Sequence, residues 1–117
     1  MTTVLIVDDH PSFRAIARAL LEAEGLRVVG EAEDGSSALR CVGELHPDLV
    51  LLDVQLPDTD GFAVAAVLTA KTNGNTPVVV LTSSRDADDF GELVSASGAR
   101  GFVPKAELSG AALTALL

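Results

Sequence analysis

Apolar runs of strand length alternate with stretches of helical periodicity five times along this chain. The runs fall at 3–7, 27–32, 48–52, 77–81 and 101–103, and most are continuous, the pattern of parallel strands covered on both faces. Between the first two, Phe13, Ile16, Ala17, Leu20 and Leu21 follow i, i+3, i+4, i+7, i+8 spacing with Arg14, Arg18 and Glu22 outside the stripe. Shorter stripes follow: Ala38, Leu39, Val42 and Leu45; then Val64, Val67 and Leu68; then Phe90, Leu93 and Val94; then Leu108, Ala112 and Leu116. Gly25, Gly35, Asn73-Gly74 and Gly98 stand where helices end or the chain turns. This βα rhythm predicts an α/β fold with a parallel sheet between two layers of helices.

At 117 residues the chain is one domain, 1–117, without linker, repeat or charge block. It ends inside the fifth apolar stripe with neither a glycine cap nor a basic last turn, which predicts a domain cut from a longer protein. The net charge of -9, with no cluster of basic residues, argues against nucleic-acid binding by this chain and against an anionic membrane surface. Cys41 is the single cysteine, so no internal disulfide or multi-cysteine metal site is available. No apolar run approaches the ~20 residues of a membrane span or forms a signal-peptide core. A soluble protein of the reducing cytoplasm is expected.

In a doubly wound sheet, ligands bind beyond the carboxyl ends of the strands. Asp8 and Asp9 follow the first run, Asp53 ends the third, Thr82, Ser83 and Ser84 follow the fourth, and Lys105 follows the fifth. Three carboxylates drawn to one edge repel one another unless a cation joins them. Mg²⁺, which takes few protein carboxylates and keeps water for an incoming phosphoryl group, suits Asp8, Asp9 and Asp53. Lys105 supplies a second positive centre and Thr82 a hydroxyl donor. Asp53 is the natural nucleophile, because carboxylates form aspartyl phosphates.

The segments VLIVDD (4–9), LVLLD (49–53), LPDTDG (56–61), VVVLTS (78–83) and GARGFVPK (98–105) together resemble the receiver domain of bacterial two-component response regulators. The likeness covers essentially the whole chain. It implies a flavodoxin-like (βα)5 fold, a five-stranded parallel sheet of order 2-1-3-4-5. It implies Asp53 as phosphoacceptor, charged by a sensor histidine kinase or a small acyl phosphate. Asp9 would bind Mg²⁺ directly, Asp8 largely through water, and the Gln55 backbone carbonyl would complete the coordination. Thr82 and Lys105 would hold the phosphoryl group. Phe102 would turn into space that Thr82 vacates, reshaping the face of the fourth helix, fifth strand and fifth helix. Gln55 and Ser84 would flank the path of hydrolytic water and tune dephosphorylation. Arg14, Ile16, Ala17 and Ala106 are candidate kinase contacts, and dimerisation on phosphorylation is common in such proteins.

The family often has proline directly after the lysine, whereas here Pro104 precedes Lys105 and Ala106 follows. With DDHPSFR (8–14), that order is more like the subfamily whose receiver precedes a helix-turn-helix output domain, so transcriptional control would belong to residues outside this chain. No catalysis is expected beyond the domain's own phosphorylation and dephosphorylation. An aspartyl phosphohydrolase would carry an acid where Gln55 stands. A flavin carrier would have its phosphate repelled by Asp8 and Asp9. A receiver-like interaction module that is never phosphorylated shares the fold but usually loses pocket residues. Simpler roles also fit single residues: Asp8 and Asp9 as helix caps, Ser84 as a cap, His10 as a surface loop histidine, His46 as a helix end and Cys41 as a half-buried structural thiol.

Overall fold

A computed structural model of the chain describes residues 2–70, 76–84 and 90–116. The strands are β1 (Thr3–Val7), β2 (Arg27–Ala32), β3 (Leu49–Asp53), β4 (Val78–Ser83) and β5 (Gly101–Pro104). The helices are α1 (Pro11–Ala23), α2 (Gly35–Leu45), α3 (Gly61–Thr69), α4 (Leu93–Ala96) and α5 (Gly110–Thr114), with a short 3-10 turn at Lys105–Glu107. All strand pairs are parallel and the order is β2-β1-β3-β4-β5, the topology expected from the sequence. The Asn73-Gly74 turn lies outside the described residues. Among the described residues no helix is long and apolar enough to cross a membrane.

Strand alternation divides the core into two layers. Val4, Ile6, Leu49, Leu51, Val80 and Val103 meet Ala17 and Leu21 of α1 and Leu113 of α5. Leu5, Val7, Val50, Leu52, Val79 and Leu81 meet Ala38 and Val42 of α2 and Val64, Ala65 and Leu68 of α3. Both layers are apolar and buried, which is why the strands carry unbroken apolar runs.

Local chemistry sets the element ends. Asp34 closes a capping box with Ser37 at the start of α2, and Asp60 accepts from the Ala63 N–H at the start of α3. Ser109 accepts from the Ala112 N–H, so α5 begins at Gly110 and Leu108 precedes it. The buried anchor of α5 is therefore Leu113, where the periodicity had suggested Ala112. In α1 the apolar stripe is wider than the sheet beneath it: Ala17 and Leu21 are buried, while Ile16 and Leu20 stay 58% and 39% exposed. β3 and β4 each start one residue later than the runs suggested. Pro77 has no N–H to give the ladder, and the first bond is Val78 N–H to the Asp48 carbonyl. Both strands also run on, so that Asp53, Thr82 and Ser83 lie within them.

Candidate functional site

The alternation that packs the α1 and α5 face continues past the apolar residues into polar ones. Val4 and Ile6 lead to Asp8, Leu49 and Leu51 to Asp53, Val80 to Thr82 and Val103 to Lys105. Asp53 and Thr82 are direct partners in the β3–β4 ladder, so their side chains leave the same face. Four polar groups thus gather at one end of the sheet because the two-residue period places them there. Asp8, Asp53 and Thr82 are buried, and Lys105 is largely so.

The Lys105 ammonium stands 2.6 Å from Asp8 Oδ2 and 3.1 Å from Asp53 Oδ2. It also lies 4.4 Å from the centre of the Phe13 ring, which roofs it from α1. Asp53 Oδ1 accepts from the Gln55 N–H at 3.1 Å. Asp8 Oδ1 accepts from the His10 N–H at 2.8 Å, and the Arg14 guanidinium donates to the Asp8 carbonyl. Thr82 Oγ1 is buried and has no hydrogen-bond partner among the described residues, an uncommon and costly state for a hydroxyl.

Burial works against both carboxylates, with opposite net results. For Asp8 the Lys105 ammonium and the His10 contacts outweigh burial and hold the carboxyl below its usual range. For Asp53 burial prevails, helped by the Asp8 charge, and the carboxyl is raised despite Gln55 and Lys105. Burial favours loss of the Lys105 proton, but the two acids overcome it and raise the ammonium. One cation among these acids leaves Asp53 undercompensated.

The three carboxylates of this cluster fit a hard cation. Asp8, Asp9, His10 and Asp53 each offer one ligand atom, all within 4.8 Å of one another. Gln55 forms an isolated antiparallel bridge with Asp60 whose hydrogen bonds run through Val54, Leu56, Thr59 and Gly61, so the bridge does not use the Gln55 carbonyl. Ser84 is exposed and directly follows β4. All described peptide bonds are trans, including that between Lys105 and Ala106.

Phe102 is placed differently from the pocket residues. Leu81 is its ladder partner while Thr82 faces Val103, so Phe102 leaves the opposite side of the sheet. There its ring lies 5.6 Å from Phe90, which lies 5.4 Å from Phe62. Among the kinase-contact candidates, Ile16 and Ala106 are exposed, Arg14 is ion-paired with Glu31, and Ala17 is fully buried on the inner side of α1 and unavailable to a partner.

Three supports escaped the sequence reading. Phe13, read as core, covers Lys105. Gly61 lets α3 start against the end of β3: a Cβ there would stand 2.3 Å from the Asp53 carbonyl oxygen. Asp58 reaches across to α2, accepting from the Gly35 N–H at 2.8 Å and the Ser36 N–H at 3.0 Å. The LPDTDG motif held the signal for the last two, since an acid and a glycine shortly after a strand-end carboxylate suggest a closed loop.

Comparison with known proteins agrees with this geometry. A family model described as "Response regulator receiver domain" matches residues 4–116. The chain is 43% identical over 104 residues to the DNA-binding response regulator MtrA of Mycolicibacterium smegmatis, covering 87% of this chain and 43% of MtrA. It is 39% identical over 106 residues to the response regulator GacA of Pseudomonas aeruginosa, covering 90% of this chain and 49% of GacA. The signal receiver domain of NarL from Mycobacterium tuberculosis superposes with a TM-score of 0.85 at 34% identity, covering 98% of this chain and 95% of that one. The chain spans about half the length of these curated relatives.

Proposed function

The chain belongs to the response regulator receiver domain family, and from that premise we propose that it is a phosphorylation-operated switch whose acceptor is Asp53. The observation that supports this most is the shared lysine. A buried carboxylate with a raised pKa depends on one ammonium that its neighbour Asp8 holds more closely, beside a buried hydroxyl lacking an acceptor. Such a pocket lacks positive charge as it stands and has donors ready for more oxygens.

Asp8, Asp9, Asp53 and the Gln55 carbonyl would hold Mg²⁺, which when bound supplies charge neutralisation for the acids and the phosphoryl oxygens. A carboxylate oxygen of Asp53 attacks the phosphorus of a phosphohistidine or acyl phosphate. The bond to the leaving nitrogen or oxygen breaks, and the leaving group keeps the electron pair. Lys105 shifts from the carboxylates to a phosphoryl oxygen, and the Thr82 hydroxyl donates a hydrogen bond to another. The phosphoryl group carries about -1.5 to -2 charge in place of the single carboxylate charge and brings three acceptor oxygens, enough to draw both residues inward. The loop after β4 follows Thr82, and Phe102 responds through β4, β5 and the Phe90 contact.

A sensor histidine kinase is the proposed donor, with Ile16 and Ala106 among its contacts. Phosphorylation-dependent dimerisation and a DNA-binding output are proposed for the whole protein, supported by the greater length of the relatives and by the printed description of MtrA. Gln55 and Ser84 tune loss of the phosphoryl group, while other catalysis is absent from the proposed role.

Intact-mass spectrometry after incubation with acetyl phosphate tests the reading. A gain of one phosphoryl group that requires Mg²⁺ and is lost in Asp53→Asn is expected. An unchanged adduct in Asp53→Asn would overturn Asp53 as acceptor. No adduct under any condition, with hydrolysis trapped by rapid quenching, would favour an interaction module that works without phosphorylation.

A further inference from the structure

His10 has no part in the phosphoryl chemistry above, yet its ring is built into the pocket. Nδ1 stands 3.0 Å from Asp8 Oδ1 and 3.0 Å from Asp9 Oδ1. Asp8 therefore divides its two oxygens, giving Oδ2 to Lys105 and Oδ1 to His10. A divalent ion with octahedral bonds of about 2.1 Å sets neighbouring ligand atoms about 3 Å apart. The imidazole nitrogen already has that spacing to both carboxylates, and Asp53 completes a group within 4.8 Å.

A second observation points to a ligand in the same place. Thr82 Oγ1 is buried without a hydrogen-bond partner among the described residues, and Thr82 is the ladder neighbour of Asp53 on the same side of the sheet. A hydroxyl so placed is available to a ligand in the pocket or to water that the ligand orders.

We propose that the pocket is also a site for a first-row divalent transition ion of the Ni²⁺ or Zn²⁺ kind, with His10 Nδ1 as a direct ligand beside Asp8, Asp9 and Asp53. Imidazole suits these ions, whereas Mg²⁺ prefers oxygen and retains its waters. His10 thus adds affinity for one class of ion and little for the other. The proposal rests on reading the acidic pocket as a cation site. Its consequence for the switch is competition, because a transition ion would occupy the carboxylates that Mg²⁺ and the phosphoryl group need.

The test is calorimetric titration of Ni²⁺, and separately Mg²⁺, into the wild type, His10→Phe and His46→Ala. Loss of an outer-shell partner already costs roughly 10- to 100-fold in metal affinity, so losing a direct ligand should weaken Ni²⁺ by at least about tenfold. Mg²⁺ affinity should change less than about twofold, and His46→Ala should alter neither. Equal Ni²⁺ affinity in wild type and His10→Phe overturns the proposal, as does a parallel loss of both ions. Ni²⁺ binding that needs His10, with no Mg²⁺ binding, would support the histidine site while overturning the Mg²⁺ reading. No binding of either ion to the wild type overturns both. Nitrogen NMR of the unaltered protein gives a check that no folding defect can blur: Zn²⁺ should shift the His10 Nδ1 resonance into the metal-bound range, and an unmoved resonance overturns the assignment.

Discussion

Lys105 stands closer to Asp8 than to Asp53, 2.6 Å against 3.1 Å between its ammonium and the facing oxygens. The cation beside Asp53 is thus held chiefly by a neighbour, which leaves Asp53 the less compensated of two buried acids.

Removing that cation should be costly in the metal-free protein. Lys105→Ala leaves Asp8 and Asp53 buried without their ammonium, and breaking a buried ion pair costs about 3 kcal/mol. Mg²⁺ should then restore more stability to the variant than it adds to the wild type. Urea unfolding with and without Mg²⁺ measures both increments, and equal increments would contradict the compensation described.

The pH dependence follows from the raised Asp53 carboxyl. Above its raised pKa, Asp53 is ionised in both the folded and unfolded states, and the folded state bears the penalty of burying the charge. As pH falls through that pKa and on through the ordinary value of 3.8, the penalty disappears. Asp53→Asn should therefore raise the melting temperature at pH 7, at about 4 °C for each 1 kcal/mol in a domain of this size. The advantage should shrink towards the ordinary carboxylate range. A Tm difference independent of pH in paired melting curves would contradict it.

Gly61 is the narrowest point beneath the site. Its added Cβ would meet the Asp53 carbonyl oxygen at 2.3 Å and Val54 Cα at 2.8 Å, and backbone atoms cannot rotate away. Gly61→Ala should cost about 1–3 kcal/mol and slow phosphorylation from acetyl phosphate by displacing the acceptor strand. Wild-type phosphorylation kinetics in a folded Gly61→Ala protein would show that the contact does not position Asp53.

Asp58 ties the loop after β3 to the start of α2. Asp58→Ala should lose about 1 kcal/mol, the usual worth of a helix cap, because the Asp34 capping box does not replace the bonds to Gly35 and Ser36. Hydrogen exchange at those two amides should quicken in the variant, and unchanged protection would place their bonds elsewhere.

The sheet and the pocket were legible because both rest on short-range pattern. Continuous apolar runs identify buried strands, and a charged residue ending such a run must reach the carboxyl edge, so Asp8, Asp53, Thr82 and Lys105 could be placed together. Quantities set by tertiary contact were less legible. Periodicity could not show that the sheet covers Ala17 and Leu21 while leaving Ile16 and Leu20 exposed. Nor could it show that Ser109 would start α5 late enough to turn Leu113 inward. The LPDTDG motif marks a closed loop at Asp58, but the partners of that cap lie 23 positions away in α2 and nothing local names them. Phe102 was singled out by the family resemblance, but its side of the sheet depends on the β4–β5 register, which pairs it with Leu81 and gives Thr82 to Val103.

That register sets the acidic pocket and the aromatic cluster on opposite sides of the sheet. The acids and Lys105 belong to the α1 and α5 side, while Phe62, Phe90 and Phe102 pack together on the other. A protein docking on the aromatic side would meet neither the buried acids nor Lys105. Successive partners could replace one another there through evolution while the proposed acceptor kept its surroundings, the sheet passing movement across while keeping partners away from the chemistry.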